Sequence, residues 1–182
     1  MDKNRALTVS SQEFVQISAW TEDLGIDVLF GYNELADESI YSSCALISGG
    51  KVINNYRRIS KGWKECSQTD EHYKEGCVVK AFEYKGKKCV IALCGDVWEY
   101  PERFALGEDI LFWPVYVCRT KAEWEKEGRL QYAEQARLCC ENTLYVDSLC
   151  RGDAIGGAVQ FLDGKIKKEL PVFHEGLLYV TV

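Results

Sequence analysis

Cys94 ends an apolar run, Cys89 to Leu93, and is followed directly by Gly95. That placement suits a nucleophile. A strand end gives the thiol rigid support, and the glycine lets the backbone turn sharply and aim amide N–H groups at a bound carbonyl. The plain alternative is a core cysteine at a strand end, a role cysteines fill more often than catalysis. A thiol of ordinary acidity, with a pKa of about 8.5, needs help to be nucleophilic at neutral pH. Arg57, Arg58, Lys61 and Lys64 offer cations, and Asp70, Glu71, Glu75 and Asp96 offer carboxylates. Taken singly, each reads as a solvated surface charge. His72 and His174 sit in no motif, which argues against Cys–His catalysis, and Arg151 to Gly157 has glycines without a phosphate-loop pattern.

The remaining thiols must be placed as well. Nine cysteines, an odd number, in a chain whose N-terminus lacks an apolar signal segment fit reduced thiols better than a disulfide framework. No Cys-x-x-Cys pair occurs, the two histidines stand far apart, and Cys139 and Cys140 are adjacent, so neither a zinc site nor another metal is expected. Most of these cysteines read as small core residues.

The elements that must position Cys94 follow from periodicity. Phe14, Ile17, Trp20 and Leu24 predict a helix capped by Ser10 or Ser11 and ended by Gly25. Strands are predicted from Ile26 to Tyr32, from Ser42 to Ile47, and from Val52 to Tyr56 after a Gly49-Gly50 turn. Arg57 to Gly76 reads as an irregular surface loop. Val78 to Tyr84 and Lys88 to Leu93 pair around Gly86, and a short helix begins at Pro101. Asp109 to Trp113 is strand-like, and 121–141 predicts the longest helix, with Leu130, Ala133, Ala136 and Cys140 on one stripe. Thr143 to Leu149, Gly157 to Leu162, Lys165 to Leu170 and Leu177 to Val182 close the chain as strands, with a hairpin turn at Asp163-Gly164. Strands with interleaved helices, without repeat or linker, predict a single domain over 1–182 of α/β or α+β class.

Composition sets outer limits. A chain of 182 residues with 47% hydrophobic residues and 3 prolines can bury a sizeable core and is neither disordered nor fibrous. Its net charge of −6 argues against nucleic acid as a partner, and no apolar run reaches the roughly 20 residues that span a bilayer. A cytoplasmic protein is the expectation.

The order of segments resembles the nitrilase superfamily, the carbon–nitrogen hydrolases, over nearly the whole chain. GIDVLFGYNE, SIYSSCALISGGKVINNYRRIS, EHYKEG, IALCGDVWEYPERF, DILFWPVY, YAEQARLCCENTLYVDS and GGAVQFLDGKI are similar to the family's successive segments, in order. The resemblance implies an α+β fold, a four-layer α-β-β-α sandwich often paired into dimers. It also implies hydrolysis of an amide or nitrile, a small-molecule substrate, through a cysteine thioester, with no cofactor. Cys94 matches the nucleophile and Gly95 an oxyanion-hole N–H. Glu71, or Asp70 with slightly different spacing, matches the second acidic residue that supports the site. The family's lysine, which stabilises the oxyanion, falls on Arg58, with Lys61 and Lys64 close by as alternatives; arginine reaches differently and cannot release its proton.

The family's general-base glutamate lies in a segment before the first long helix, and this chain starts after that point. The expectation is therefore an N-terminally truncated fold without the first strand and its glutamate. Such a fold would expose a sheet edge and self-associate, as a homodimer or a higher oligomer. The second expectation from this departure is a catalytically impaired member that acts as a ligand-binding or oligomerisation module.

Overall fold

The computed structural model describes residues 5–61, 72–150 and 153–182. It divides into two compact units, Met1–Val78 and Val79–Val182.

The first unit is one helix on a three-stranded antiparallel sheet. Helix α1 (Gln12–Leu24) starts at Ser11, whose backbone is extended, and stops at Gly25, whose φ of 62° is the left-handed conformation glycine adopts without strain. Strands β1 (Val28–Ala36), β2 (Ser39–Ser48) and β3 (Lys51–Arg57) pair in the order β1-β2-β3. Positive φ at Asp37 and Glu38, and again at Gly49 and Gly50, identifies both connections as two-residue hairpin turns. Phe14 of α1 is fully buried against Phe30, Tyr32, Ala45 and Ile47, with its ring 4.8 Å from that of Tyr32. The predicted stripe is only half right. Trp20 and Leu24 are exposed, whereas Thr21 is buried because its hydroxyl accepts the Gly50 N–H at the β2–β3 turn. At the outer edge of β1 the N-terminal segment makes a parallel bridge, in which the Leu7 N–H donates to Asn33 and the Leu35 N–H to Leu7.

The second unit is a six-stranded mixed sheet in the order β4-β5-β6-β7-β8-β9. Its strands are β4 (Phe82–Tyr84), β5 (Lys87–Ile91), β6 (Ile110–Val115), β7 (Asn142–Asp147), β8 (Ala158–Leu162) and β9 (Lys165–Leu170). Strands β5, β6 and β7 are parallel, and the other pairings are antiparallel. The β5–β6 crossover holds the short helix α2 (Asp96–Glu99) and a single 3-10 turn from Pro101. The β6–β7 crossover holds α3 (Lys121–Glu123), a π turn over Trp124–Gly128, and α4 (Arg129–Arg137).

The predicted long helix is thus interrupted, and of its expected stripe Ala133, Ala136 and Cys140 are buried. Leu130 is exposed, while Trp124, Tyr132, Ala133 and Ala136 face the sheet. The π turn shifts the register, which aims the larger rings inward. Trp124 stacks on Tyr145 with ring centres 5.6 Å apart, and Tyr132 stacks on Trp113 at 5.2 Å. The predicted final strand does not form. Residues 171–182 have no regular structure, and Leu177 and Tyr179 are exposed, so little burial offsets the entropy of ordering a strand there.

Among the described residues no helix is long and apolar enough to cross a membrane, and no group of three or more His, Cys, Asp or Glu side chains is placed to hold a metal.

Candidate active site

Parallel strands β5, β6 and β7 all present their C-terminal ends to one edge of the second sheet, the edge where α/β proteins assemble their sites. Cys94 lies at this edge with φ of 47°, a conformation a side-chain-bearing residue seldom adopts unless its surroundings enforce it. The enforcement is visible. The Cys94 N–H donates to the Pro114 carbonyl at 3.0 Å, and the Cys94 carbonyl accepts Trp113 Nε1–H at 2.9 Å. Asp96 closes the turn from the other side, accepting the Leu93 N–H through Oδ2 at 2.9 Å and returning its own N–H to the Leu93 carbonyl at 3.0 Å. Gln135 Nε2 then ties α4 to the Val97 carbonyl at 2.6 Å. Asp96 is fully buried, so its carboxylate is a structural clamp on the turn. The sequence offered it as one of several bases.

The result is an elbow on which the thiol is half-buried, with Sγ 3.8 Å from the Tyr116 carbonyl oxygen. Gly95 begins α2, and no hydrogen bond among the described residues uses its N–H. That leaves the amide available to an oxyanion on a carbon bonded to Cys94.

Two groups of polar residues escaped the sequence reading. The first is a surface cluster in which Asp153 accepts hydrogen bonds from the Tyr116 hydroxyl, at 2.6 Å, and from the Cys118 thiol. This contact with Asp153 pushes the Cys118 thiol up to about 11, so Cys118 is a poor thiolate at neutral pH. The second is Asp147 at the end of β7. It is 6% exposed; Oδ1 accepts the Val117 N–H at 3.0 Å, and Oδ2 is buried without a hydrogen-bond partner among the described residues. Burial pushes its carboxyl up to about 7 against the backbone hydrogen bonds that oppose it. An aspartate closing an alternating strand, after Thr143 and Tyr145, was the sequence signal available for it.

Of the predicted site residues, Cys94 and Gly95 stand together on the elbow. Arg58 belongs to the first unit. It is 2% exposed, its Nε donates to Ser60 Oγ at 2.6 Å, and its Nη1 is buried with no hydrogen-bond partner among the described residues. Glu71, Asp70, Lys64 and Cys66 lie outside the described residues. Arg57, one of the candidate cations, is committed elsewhere: it grips the buried Glu34 through Nε at 2.8 Å and Nη2 at 2.9 Å. Of the other cysteines, Cys44, Cys89, Cys139 and Cys140 are buried, as expected of core thiols, and burial raises the pKa of each. Cys77, Cys118 and Cys150 are exposed. A groove of about 560 Å³ in the second unit, between β7, β8 and the tail at 174–180, does not include Cys94.

No family model matches the chain. A glutamine-dependent NAD(+) synthetase of Thermotoga maritima is 28% identical over 102 residues, covering 54% of this chain and 17% of that protein. Among solved structures, the glutamine-dependent NAD+ synthetase of Acinetobacter baumannii superposes with a TM-score of 0.72 at 20% identity, over 91% of this chain and 32% of that one. A glutamate-to-glutamine mutant of an amidase from Nesterenkonia sp. AN1, seen after Michael addition of acrylamide at its active-site cysteine, gives 0.67 at 18% identity over 90% and 68% of the two chains. A carbon–nitrogen hydrolase from Helicobacter pylori G27 gives 0.69 at 16% identity over 85% and 61%. This chain therefore spans well under two thirds of the NAD synthetases it resembles. Its α+β fold is that of the carbon–nitrogen hydrolases of the nitrilase superfamily.

Proposed function

We propose that this chain hydrolyses a non-peptide carbon–nitrogen bond, as in a small amide, through a thioester on Cys94. The observation that carries the proposal is the elbow: a partly exposed thiol held at φ 47° at the C-terminal edge of three parallel strands, beside the uncommitted Gly95 N–H. Cys94 Sγ adds to the carbonyl carbon, and the Gly95 N–H donates to the oxygen as it gains charge. Collapse breaks the C–N bond, and the proton given up by the thiol leaves with the nitrogen. Water then attacks the thioester, the C–S bond breaks, and the acid departs as the thiol is restored.

The roles of Arg58, oxyanion stabilisation, and of Glu71, support of the site, rest on the sequence resemblance. The same resemblance motivates a homodimer or higher oligomer, which light scattering tests; a clean monomer at high concentration would overturn that part.

The decisive experiment is ammonia release from a panel of small amides, with the acyl-enzyme trapped by acid quench for mass spectrometry. Cys94→Ala is expected to remove both the product and the adduct. Hydrolysis that survives in Cys94→Ala sinks the proposal.

A further inference from the structure

Asp147 stands in a defined relation to the elbow. The parallel register pairs Ile91 with Phe112 and Val115 with Asp147, and the Cys94 N–H bond to Pro114 carries that register on to place Cys94 opposite Val115. Cys94 and Asp147 therefore occupy one row of the sheet, on either side of Val115, two strand spacings or about 10 Å apart. Asp147 follows Tyr145 on the face that α4 covers, where Tyr145 meets Trp113 and Tyr132. The titratable and charged groups around the pair are Cys118 beyond the end of β6, Tyr132 on α4, Tyr145 on β7 and Arg119, whose guanidinium lies 5.8 Å from the Tyr132 ring centre.

The buried oxygens along β7 give this relation chemical content. Thr143 Oγ1, Tyr145 OH and Asp147 Oδ2 are successive residues on one face of the strand, and each is buried without a hydrogen-bond partner among the described residues. A carboxyl group in such a place has one oxygen anchored, by the Val117 amide, and the other free to carry a proton.

We infer that Asp147 is a positioning residue of the Cys94 site: its carboxyl group, neutral when it holds a proton on Oδ2, leaves the thiol free to ionise, and its carboxylate form opposes the thiolate across the sheet row. The inference rests on Cys94 being the reactive thiol, but it concerns the thiol itself and does not depend on hydrolysis. One proton on Asp147 thus separates a permissive site from a restrained one. Two negative charges about 10 Å apart in a partly dry interior repel strongly enough to change a thiolate population several-fold.

The test is site-resolved alkylation of Cys94 by iodoacetamide, read by mass spectrometry across about pH 5 to 10, a span bracketing both ionisations. In the unaltered protein the rate is expected to climb with a slope below that of a single ionisation, because Asp147 charges over part of the same range. In Asp147→Asn, which keeps the Val117 contact and mimics the neutral acid, the climb is expected to follow a single ionisation, with rates about three- to tenfold higher near pH 8. Superimposable profiles would overturn the inference. Should Asp147→Asn fail to fold, the unaltered protein still decides, since a profile with one simple ionisation is incompatible with it. Survival of hydrolysis in Cys94→Ala would defeat the proposed function and leave this alkylation result unaffected.

Discussion

Each unit buries one acidic side chain on its sheet, and the two are treated in opposite ways. In the first unit Glu34 is 5% exposed and both of its oxygens are used: Oε2 accepts from Ser43 Oγ at 2.7 Å and from Arg57 Nε, and Oε1 accepts from Arg57 Nη2. Burial alone would raise its pKa, yet the hydrogen bonds from Arg57 and Ser43 outweigh burial and hold the group below the usual carboxylate range. The Arg57 guanidinium also lies 4.0 Å from the Tyr41 ring centre, which fixes it from a second side. Among the described residues, Asp147 of the second unit has the Val117 amide on Oδ1 and no salt bridge, and burial raises its pKa to about 7. Burial is nearly equal in the two cases. What separates a locked charge from a movable proton is whether every lone pair finds a donor.

Arg57→Ala should do most to erase this contrast. It leaves Glu34 buried without its partner, and since Arg57 is itself about one-third exposed we expect a loss of about 2–3 kcal/mol in urea unfolding of the chain, between the ranges for surface and fully buried pairs. A loss below about 0.5 kcal/mol would show that the pair behaves like a surface ion pair.

Asp147→Asn sharpens the contrast through pH. The folded carboxyl binds its proton more tightly than the unfolded one, so Asp147 adds stability that is fully present below about pH 4 and is lost as pH rises towards 7. Relative to Asp147→Asn, the unaltered protein should therefore lose about 2 kcal/mol between these limits, after allowance for solvent screening. Glu34 has the opposite sign, because its lowered pKa makes its contribution present above the unfolded value and lost as pH falls below about 4. A pH-independent stability difference between the unaltered protein and Asp147→Asn would contradict the assignment.

Two smaller changes complete the series. Asp96→Ala removes the acceptor for the Leu93 N–H in the elbow and should cost about 1–2 kcal/mol, together with a drop in Cys94 alkylation as the turn loosens. Ser43→Ala takes one donor from Glu34 and leaves Arg57 in place, and should cost about 1 kcal/mol by thermal unfolding, with no effect on Cys94.

Much of this was legible beforehand. Gly25 ends the first helix in the left-handed conformation glycine permits, while Ser11 stands at its start without a capping side-chain hydrogen bond, and Gly49-Gly50 and Asp163-Gly164 make the hairpins their positive φ values permit. The β5 strand delivers Cys94 to a turn, as an apolar run followed by glycine predicts. These are local features, decided by a few neighbouring residues. Failures came where long-range packing chose among equivalent local options. Leu130 fits the helical stripe as well as Trp124 or Tyr132 does, but the π turn rotates the larger rings onto Tyr145 and Trp113. Leu177 to Val182 is apolar enough to predict a strand, yet it joins no ladder, and Leu177, Tyr179 and Val182 stay exposed.

The sequence by itself determined the order of most elements, the family resemblance and the turn that carries Cys94, because strand ends and turn glycines are written in adjacent residues. Tertiary structure alone decided that Arg57 is spent on Glu34, that Asp96 clamps a turn, and that Asp147 shares a row with Cys94. Charged residues look alike in a sequence. Their roles diverge only when the sheet register sets which donor reaches which oxygen, and how much water remains to screen them.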